Sequence, residues 1–320
     1  MKQIIVITGQ TATGKTHLAL KYAERYQGEV VNCDSRQVYK NLDIVTGKDI
    51  GCFKFCKVKS INNFDIGYYQ LPLQKLPNQK LKTTNYKLPT VRLWLYDIAS
   101  PDQYFSSYDY KQCYLYLIKR LIDKNKTIVV VGGSYFYLKH LLYKINTETI
   151  PPDWQLRQSF TGKKTSELQK ILRDLSTKTF SKLNQSDKNN PQRLIRRIEI
   201  IKSGRAIRLV KNSFNPEIKI NQFIGLRYKD KAKLRLAIEK RVGERVKNGA
   251  IEEVKTLIKS GYKFSDPGLK TIGYQQIYQY LNKELSKKEA LQLWITREMQ
   301  YAKRQYTFMK KDPNIQWKDI

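Results

Sequence analysis

The fold of this chain is decided by the stretch Gly9-Gln10-Thr11-Ala12-Thr13-Gly14-Lys15-Thr16, which fits the pattern G-x-x-x-x-G-K-[ST] of a phosphate-binding loop. The apolar run Ile4–Ile7 before it predicts a buried strand, and Leu18–Ala23 after it place apolar side chains at helical spacing. In that setting the loop and the helix N-terminus form an anion site. Lys15 reaches the distal phosphate there, and the Thr16 hydroxyl can bind Mg²⁺. We therefore predict that all eight residues bind a di- or triphosphate.

Strand and helix signals alternate along the first part of the chain, a pattern typical of an α/β fold. The predicted strands after the first are Glu29–Cys33, Val91–Ile98, Thr127–Val131 and Gln222–Leu226. The predicted helices are Tyr108–Ile122, one ending at Leu142, Ser166–Leu175, Thr177–Leu183, Pro191–Ser203, Lys231–Gly249, Ile251–Lys259, Ile277–Leu281 and Lys287–Lys310. We predict a parallel sheet like that of phosphate-loop NTPases with helices on both faces, built from residues 1–142 and 217–320. An all-helical insertion domain, residues 143–216, interrupts this core.

One segment, Gly51–Pro89, breaks the alternation with Lys, Asn, Gln, Pro and Tyr scattered among short apolar pieces. Such a composition favours an inserted loop or hairpin on the surface. The sequence assigns it no role.

The chain is strongly basic, with 60 Lys and Arg against 28 Asp and Glu, a net charge of +32 over 320 residues. Such an excess favours a polyanionic partner, because each neutralised phosphate releases counterions. The 22 tyrosines are interleaved with the basic residues and can stack on bases. The alternative is a lineage whose proteins are all rich in Lys and Tyr, which would explain part of the excess.

Other features of the sequence indicate the cellular compartment, the role of the cysteines, the type of general base and the oligomeric state. Its start shows no secretory signal, and no apolar run approaches the length of a membrane span, so we expect a cytoplasmic protein with no membrane partner. Cys33, Cys52, Cys56 and Cys113 form neither a disulfide framework nor a zinc motif. With only two histidines, any general base is expected to be a carboxylate. No separate apolar stripe indicates an interface, so we expect a monomer without a protein partner.

Two further motifs follow predicted strands: Asp34-Ser35-Arg36-Gln37-Val38-Tyr39-Lys40 and Val131-Gly132-Gly133-Ser134-Tyr135-Phe136-Tyr137-Leu138. Together with the phosphate-binding loop they resemble the tRNA dimethylallyltransferases, or isopentenyltransferases. The resemblance continues in one order through further stretches, which are Tyr96–Ile98 with Pro101 and Ser106, Asn190–Arg197, Gly249–Val254, Ile272–Tyr274 and Thr296–Gln305. It therefore covers nearly the whole chain and is more specific than a phosphate-binding loop alone.

The resemblance implies an activity: transfer of a dimethylallyl group from dimethylallyl diphosphate to N6 of the adenosine beside the anticodon, in tRNAs that read U-starting codons. The loop, Lys15 and Mg²⁺ on Thr16 would hold the diphosphate leaving group. The resemblance gives Asp34 the role of accepting or orienting the proton of the amine, and Arg241 a place beside the diphosphate. From the residues alone, Asp34 could instead cap a turn, and Arg241 could be a solvated helix arginine.

The resemblance also implies contacts with the tRNA anticodon stem-loop, whose target base must be extruded to be reached. The residues it implicates are Asp34, Ser35, Arg36, Gln37, Ser134, Arg157, Gln192, Arg193, Leu194, Ile195, Arg196, Lys270, Thr271, Ile272, Gly273, Tyr274 and Gln275. Among them Gln192, Arg193 and Arg196 carry amide and guanidinium groups suited to base edges and phosphates. The alternative for this group is an exposed basic helix face.

Several positions are ambiguous or depart from the family. Asp97 ends an apolar strand, so it either binds Mg²⁺ through water or only caps the strand end. Ser134 stands where the family usually has Thr, and Leu93-Trp94 stand where it usually has histidines. The segment Gly51–Pro89 is longer than the usual connection, and the zinc finger of eukaryotic relatives is absent.

Other functions share part of these features. A phosphate-loop kinase that uses ATP on a small metabolite would explain Gly9–Thr16 and Asp97, but not the basic second half or Asp34–Gln37. An RNA-binding NTPase would release phosphate without changing the mass of the RNA. Prenylation of free AMP would not need so large a basic second half. Protection against heat by dimethylallyl diphosphate or by ATP separates the first two functions.

Overall fold

The protein is described from a computed structural model, which describes residues 3–48, 50–51, 53–72, 90–144, 150–205 and 219–320. The strands are β1 (Ile4–Gly9), β2 (Glu29–Asn32), β3 (Cys56–Ile61), β4 (Phe64–Pro72), β5 (Thr90–Trp94), β6 (Ile128–Val131), β7 (Ile220–Arg227) and β8 (Gln316–Asp319). The helices are α1 (Lys15–Arg25), α2 (Ser107–Asp123), α3 (Tyr135–Leu142), α4 (Trp154–Ser159), α5 (Thr165–Leu175), α6 (Thr177–Ser181), α7 (Gln185–Lys188), α8 (Pro191–Lys202), α9 (Lys231–Lys247), α10 (Ala250–Lys259), α11 (Tyr274–Leu281) and α12 (Lys287–Met309). No helix within these ranges is long and apolar enough to span a bilayer.

The strands form one eight-stranded sheet in the order β3-β4-β5-β2-β6-β1-β7-β8. In this spatial order, every neighbouring pair from β5 through β2, β6, β1 and β7 to β8 is parallel. The strand β4 pairs antiparallel with both β3 and β5. The central strands β1 and β6 are continuous apolar runs, buried as expected for parallel strands covered on both sides. The predicted parallel core is therefore confirmed, and the mixed sheet edge is a difference from the prediction.

The antiparallel edge comes from the inserted segment. Asn62 and Asn63 both take positive φ, 49° and 66°, which suits a tight two-residue turn between β3 and β4. Phe64, Ile66 and Tyr69 of β4 are buried, so the hairpin extends the sheet rather than lying on the surface as a loop. The prediction for Gly51–Pro89 is thus right about a hairpin, while residues 73–89, like Cys52, lie outside the described residues.

The loops after the central strands are closely packed. Gly9 has φ 140°, and a Cβ there would lie 2.1 Å from the carbonyl oxygen of Leu226. A Cβ on Gly132 would lie 1.9 Å from the carbonyl oxygen of Cys33. Glycine at these positions lets β1 approach β7 closely and lets the segments after β2 and β6 meet at the sheet edge where α/β proteins bind ligands.

The strand β5 is shorter than predicted and ends at Trp94 rather than at Ile98. Leu95 and Asp97 adopt left-handed φ values of 61° and 53°, which are incompatible with an extended strand. The apolar residues Leu95, Tyr96 and Ile98 are nevertheless buried, so their hydrophobicity reflects packing after the strand.

The chain divides into two compact units, Met1–Leu141 with Pro216–Ile320, and Leu142–Asn215. The first contains the sheet, with α1 on β1, β2 and β6, and with α12 against α9 and α11. The short strand β8, which the sequence did not indicate, completes its edge.

The second unit is helical, with α4 to α8 around its own core. That core consists of Phe160, Leu168, Leu172, Leu183, Leu194 and Ile198. Its helix α8 begins where predicted, because Asn190 accepts a hydrogen bond from the backbone N–H of Arg193 and Pro191 occupies the first turn. The short helices α4 and α7 were not predicted.

Candidate active site

The phosphate-binding loop joins β1 to α1, as its pattern predicts. Gly14, with φ 73°, precedes the first helical residue, Lys15. The loop is held closed from within, since the carbonyl of Gln10 accepts from the Thr13 hydroxyl at 2.7 Å and from Lys15 Nζ at 2.6 Å. Outside the loop, the backbone N–H of Gln10 donates to the carbonyl of Leu226 on β7 at 3.1 Å. The loop that precedes the first turn of α1 is thus already held in place by these hydrogen bonds.

This loop forms one wall of a cavity of about 820 Å³ in the sheet-containing unit. The other walls come from the segments after β2 and β6, from α9, from the segment before α11 and from α12. Outside the loop, the polar lining residues used below are Asp34, Arg36, Gln37, Arg241, Arg245, Lys270, Thr271, Glu298, Tyr301, Arg304 and Gln305. The space is large enough for a small diphosphate together with a nucleobase.

Positive charge is concentrated beside the loop. Burial, followed by the positive charge of Arg241, lowers the pKa of Lys15 to about 8. The carboxylates of Asp34 and Glu298 act in the opposite direction and raise it. An anion bound between Lys15 and Arg241 would therefore favour the protonated ammonium. Inorganic or esterified phosphate fits this arrangement.

Arg241 reaches this wall from α9 and is held by α12. Its Nη2 donates to Glu298 Oε2 at 2.7 Å, while its Nε is buried and finds no hydrogen-bond partner among the described residues. A buried guanidinium nitrogen that lacks an acceptor is costly, and a ligand oxygen would satisfy it. The structure thus brings Arg241 to the predicted site, rather than leaving it on a solvated helix face.

Asp34 follows β2 and lines the same cavity. Its Oδ1 accepts the backbone N–H of Arg36 at 2.9 Å, which is the turn role that the sequence left open. Among the described residues, no hydrogen bond reaches Oδ2. Asp34 therefore holds its turn with one oxygen and has a second oxygen able to accept a proton or a hydrogen bond.

The neighbours of Asp34 fix this turn. Ser134, at the start of α3, accepts the backbone N–H of Ser35 at 2.8 Å and donates to the Ser35 hydroxyl at 3.0 Å. Gln37 donates its amide to the carbonyl of Gly47 at 2.8 Å. Arg36 and Gln37 line the cavity, whereas Ser35 and Ser134 support the turn from beside it. The Ser134 hydroxyl thus has a structural partner.

Asp97 does not line the cavity. Both carboxylate oxygens are engaged, one by the buried ammonium of Lys48 and the other by the hydroxyl of Tyr69. The structure therefore favours a structural role for Asp97 after β5 over a role as a metal ligand.

The residues of the predicted segment Lys270–Gln275 fall into two groups, one that lines the cavity and one that does not. Lys270, Thr271 and Ile272 line the cavity. Beyond them, the Tyr274 hydroxyl donates to Glu253, and the Gln275 amide donates to the carbonyl of Leu269 at 2.7 Å. Gly273, with φ 98°, starts α11 between these two parts. Only the first three residues of the segment are placed to touch a ligand in the cavity.

Two of the predicted tRNA contacts in the helical unit, Arg157 and Arg196, form ion pairs with a buried glutamate. Glu199, 2% exposed, accepts from Arg157 at 2.8 and 3.0 Å and also from Nη1 of Arg196. Burial alone would raise the pKa of Glu199, but the hydrogen bonds from Arg157 and Arg196 outweigh it, and the pKa lies below its usual value.

The remaining predicted contacts lie on α8. Leu194 is fully buried in the core of the unit, and Ile195 packs against that core. Gln192 and Arg193 are exposed, with Arg193 Nη1 paired with Asp187 at 2.5 Å. The exposed side chains that fit an RNA contact are therefore Gln192 and Arg193, while the structure gives Leu194 a packing role.

Three residues of α12 were missed as site residues. Glu298 and Gln305 both reach Thr11, and Gln305 Oε1 accepts the Thr11 backbone N–H at 2.8 Å. Gln305 also donates to the carbonyl of Gly133 at 3.0 Å, tying the loop after β1 to that after β6. Tyr301 lies close to Asp34, and burial, followed by that negative charge, raises the pKa of its phenol. Glu298, Tyr301 and Gln305 are spaced three, four and seven residues apart, which places them on one face of a helix. This spacing was the signal in the sequence that could have identified them as site residues.

The side chains that could coordinate a metal ion restrict how such an ion would bind. No group of three or more His, Cys, Asp or Glu side chains within the described residues could hold a metal ion. Thr16 supplies one hydroxyl at the start of α1. These residues fit Mg²⁺ as an ion shared with a diphosphate and water, rather than one held by the protein alone.

Comparisons with known proteins agree on one family. A sequence model described as IPP transferase matches residues 80–312, a range that does not include the phosphate-binding loop. A tRNA dimethylallyltransferase of Acetivibrio thermocellus is 30% identical, over 99% of this chain and 91% of that relative. One from Endomicrobium trichonymphae is 31% identical, over 98% of this chain and 93% of that relative.

Solved structures show the same fold. The tRNA isopentenylpyrophosphate transferase of Bacillus halodurans has a TM-score of 0.62 and 25% identity, and the match covers 100% of this chain and 90% of that one. A eukaryotic dimethylallyltransferase, captured acting on tRNA, has a TM-score of 0.70 and 21% identity. That match covers 100% of this chain and 74% of the other.

Proposed function

The chain belongs to the IPP transferase family, and from this premise we propose that it transfers a dimethylallyl group from dimethylallyl diphosphate to tRNA. The acceptor we propose is N6 of the adenosine beside the anticodon, in tRNAs that read U-starting codons. One observation carries the proposal: the phosphate-binding loop with Lys15, the guanidinium of Arg241 and the carboxylate of Asp34 all line a single cavity.

The donor's diphosphate would lie on the phosphate-binding loop, against Lys15 and Arg241. Both cations are already in place, and the buried Nε of Arg241 needs an acceptor. Their charges favour the leaving diphosphate more than the bound donor, because negative charge increases on it as the carbon–oxygen bond breaks.

The acceptor would enter from the side of Asp34. The N6 amine attacks C1 of the dimethylallyl group, the C1–O bond breaks, and diphosphate leaves with that electron pair. The amine proton passes to Oδ2 of Asp34, which has no other hydrogen bond among the described residues. Such a carboxylate can orient the weakly nucleophilic amine before attack as well as accept its proton.

Mg²⁺ bound to the diphosphate and the Thr16 hydroxyl would neutralise charge on the leaving group. The residues of this chain supply the remaining positive charge, from Lys15 and Arg241.

The tRNA would be held by two sets of residues. Arg36, Gln37 and Lys270–Ile272 line the cavity that an extruded base would enter. Gln192 and Arg193 present exposed polar groups on α8 of the helical unit. The net charge of +32 supports binding of a phosphate backbone. A tRNA substrate also places the proposed activity in the cytoplasm.

Nucleoside mass analysis tests this function. Unmodified tRNA reading U-starting codons is incubated with the protein, Mg²⁺ and dimethylallyl diphosphate, then digested. We expect one added prenyl group on the adenosine beside the anticodon, and no gain when a tRNA lacking that adenosine is used. An unchanged mass with folded protein and bound tRNA would contradict the proposal, and ATP with small acceptors would be tested next.

A further inference from the structure

We propose that Glu298 is a positioning residue of the donor site: it fixes the guanidinium of Arg241 against the cavity wall so that its free edge meets the diphosphate. This inference rests on the proposed function, because it assigns the diphosphate to that edge. Glu298 is an unusual residue to find here, since a buried carboxylate should repel an anionic ligand. Its contacts explain why it does not.

Glu298 is 5% exposed and lies among donors. Its Oε2 accepts from Arg241 at 2.7 Å and from the Thr11 hydroxyl at 3.4 Å. Its Oε1 accepts from the indole of Trp294 at 3.4 Å and from Arg245 at 3.5 Å. Two arginines outweigh the single carboxylate, so the cluster remains positive towards the cavity. Glu298 therefore joins α9, α12 and the phosphate-binding loop without cancelling the charge of the site.

The pairing leaves Arg241 incompletely satisfied. Glu298 accepts from Nη2, while the buried Nε has no acceptor in the part of the chain that the structure describes. A guanidinium held at one nitrogen loses little further conformational entropy when a ligand oxygen meets the other. Without Glu298 the arginine would have to be ordered by the diphosphate itself.

The same carboxylate influences Lys15. The groups that act on this ammonium are Arg241 on α9, Asp34 after β2 and Glu298 on α12. Burial and Arg241 lower the pKa of Lys15, whereas the two carboxylates raise it. Glu298 also contacts the phosphate-binding loop directly, through the Thr11 hydroxyl, so it lies beside both cations of the donor site.

The test compares Glu298→Gln with Glu239→Gln. Glu239 also pairs with an arginine on α9, Arg235 at 2.7 Å, but it does not line the cavity. Binding of dimethylallyl diphosphate is measured by calorimetry without tRNA, at pH 7. We expect Glu298→Gln to raise Kd about tenfold, while Glu239→Gln matches the unaltered protein. With tRNA, KM for the donor should rise and kcat should fall, because the guanidinium that Glu298 positions favours the leaving diphosphate more than the bound donor.

A double-mutant cycle tests whether Glu298 acts through Arg241. In an Arg241→Ala background, Glu298→Gln should no longer weaken binding at pH 7, because the guanidinium that it positions is gone. If Glu298→Gln does not fold, Glu298→Asp takes its place, since it keeps the charge but loses reach, and it too should raise Kd.

Unaltered affinity in a folded Glu298 variant would overturn the proposal, as would full additivity with Arg241→Ala. These results are separate from the proposed function. A chain that binds the donor in this Glu298-dependent way but prenylates no tRNA would contradict the function alone.

Discussion

Two buried glutamates, one in each unit, hold pairs of arginines, and they differ in how completely the arginines are satisfied. In the helical unit, Glu199 accepts from Arg157 through two nitrogens and from Arg196, which also donates to the carbonyl of Ile150 at 2.7 Å. In the sheet-containing unit, Glu298 accepts from one nitrogen of Arg241, and the buried Nε has no acceptor within the described ranges.

The difference separates a structural cluster from a binding cluster. A buried ion pair with its hydrogen bonds satisfied maintains its surroundings and has little to offer a ligand. An incompletely satisfied cation in a cavity has a reason to bind an anion. We therefore propose that Arg157 and Arg196 mainly stabilise the helical unit and that Arg241 binds the ligand.

The largest effect is expected at Asp34, the carboxylate with one unbonded oxygen. Asp34→Asn keeps the turn but removes the proton acceptor, so kcat for prenyl transfer should fall about 10³-fold, within the range of general base catalysis. Donor affinity should change less than about threefold, and tRNA affinity should stay within about tenfold. Single-turnover kinetics with separate binding titrations make this measurement, and an unchanged kcat would remove Asp34 from the mechanism.

The next effect is on stability. Glu199→Gln removes the buried charge that two partly buried arginines share, and we expect it to lower the free energy of unfolding of the helical unit by ~3 kcal/mol. Asp174→Asn, at an exposed position on α5, is the control and should change it by less than ~0.5 kcal/mol. Urea unfolding measures both. A loss of donor affinity in Glu199→Gln, with stability unchanged, would break the comparison.

A smaller effect concerns pH. Because the protonated ammonium of Lys15 binds the anion, donor affinity should be full below its pKa of about 8 and fall as the pH rises through that value. The fall should approach about tenfold per pH unit, as for one linked proton. Lys15→Arg keeps its charge and should flatten the profile in calorimetry. A profile that falls equally in both proteins would exclude Lys15 as the titrating group.

The smallest effect is on salt dependence. Arg193 is exposed on α8, so Arg193→Ala should reduce the slope of log K for tRNA against log salt by about 1. Arg173→Ala, an exposed arginine of α5 outside the predicted contacts, should leave the slope unchanged. Filter binding at several salt concentrations measures the slope for the unaltered protein and for both variants. Equal slopes in all three proteins would argue against an RNA contact at Arg193.

The sequence could predict what depends on neighbouring residues. The phosphate-binding loop and its strand and helix are encoded within about twenty positions, and Asp34 follows directly from the end of a buried strand. Contacts between distant residues left no such signal. Glu298 meets Arg241 across 57 positions, and an acidic residue on a basic helix gives no indication of its partner. The hairpin was ambiguous because only its pairing with β5 makes it part of the sheet, and the end of β5 depended on left-handed residues that hydrophobicity does not reveal.

The central claim is that the diphosphate binds at the incompletely satisfied arginine. Calorimetry of dimethylallyl diphosphate with Arg241→Ala and Arg157→Ala, both confirmed as folded by circular dichroism, tests it most directly. We expect Arg241→Ala to weaken binding about 30-fold, as for loss of a charge-assisted hydrogen bond, and Arg157→Ala to stay within about twofold. Wild-type affinity in Arg241→Ala, or an equal loss in both variants, would contradict the account.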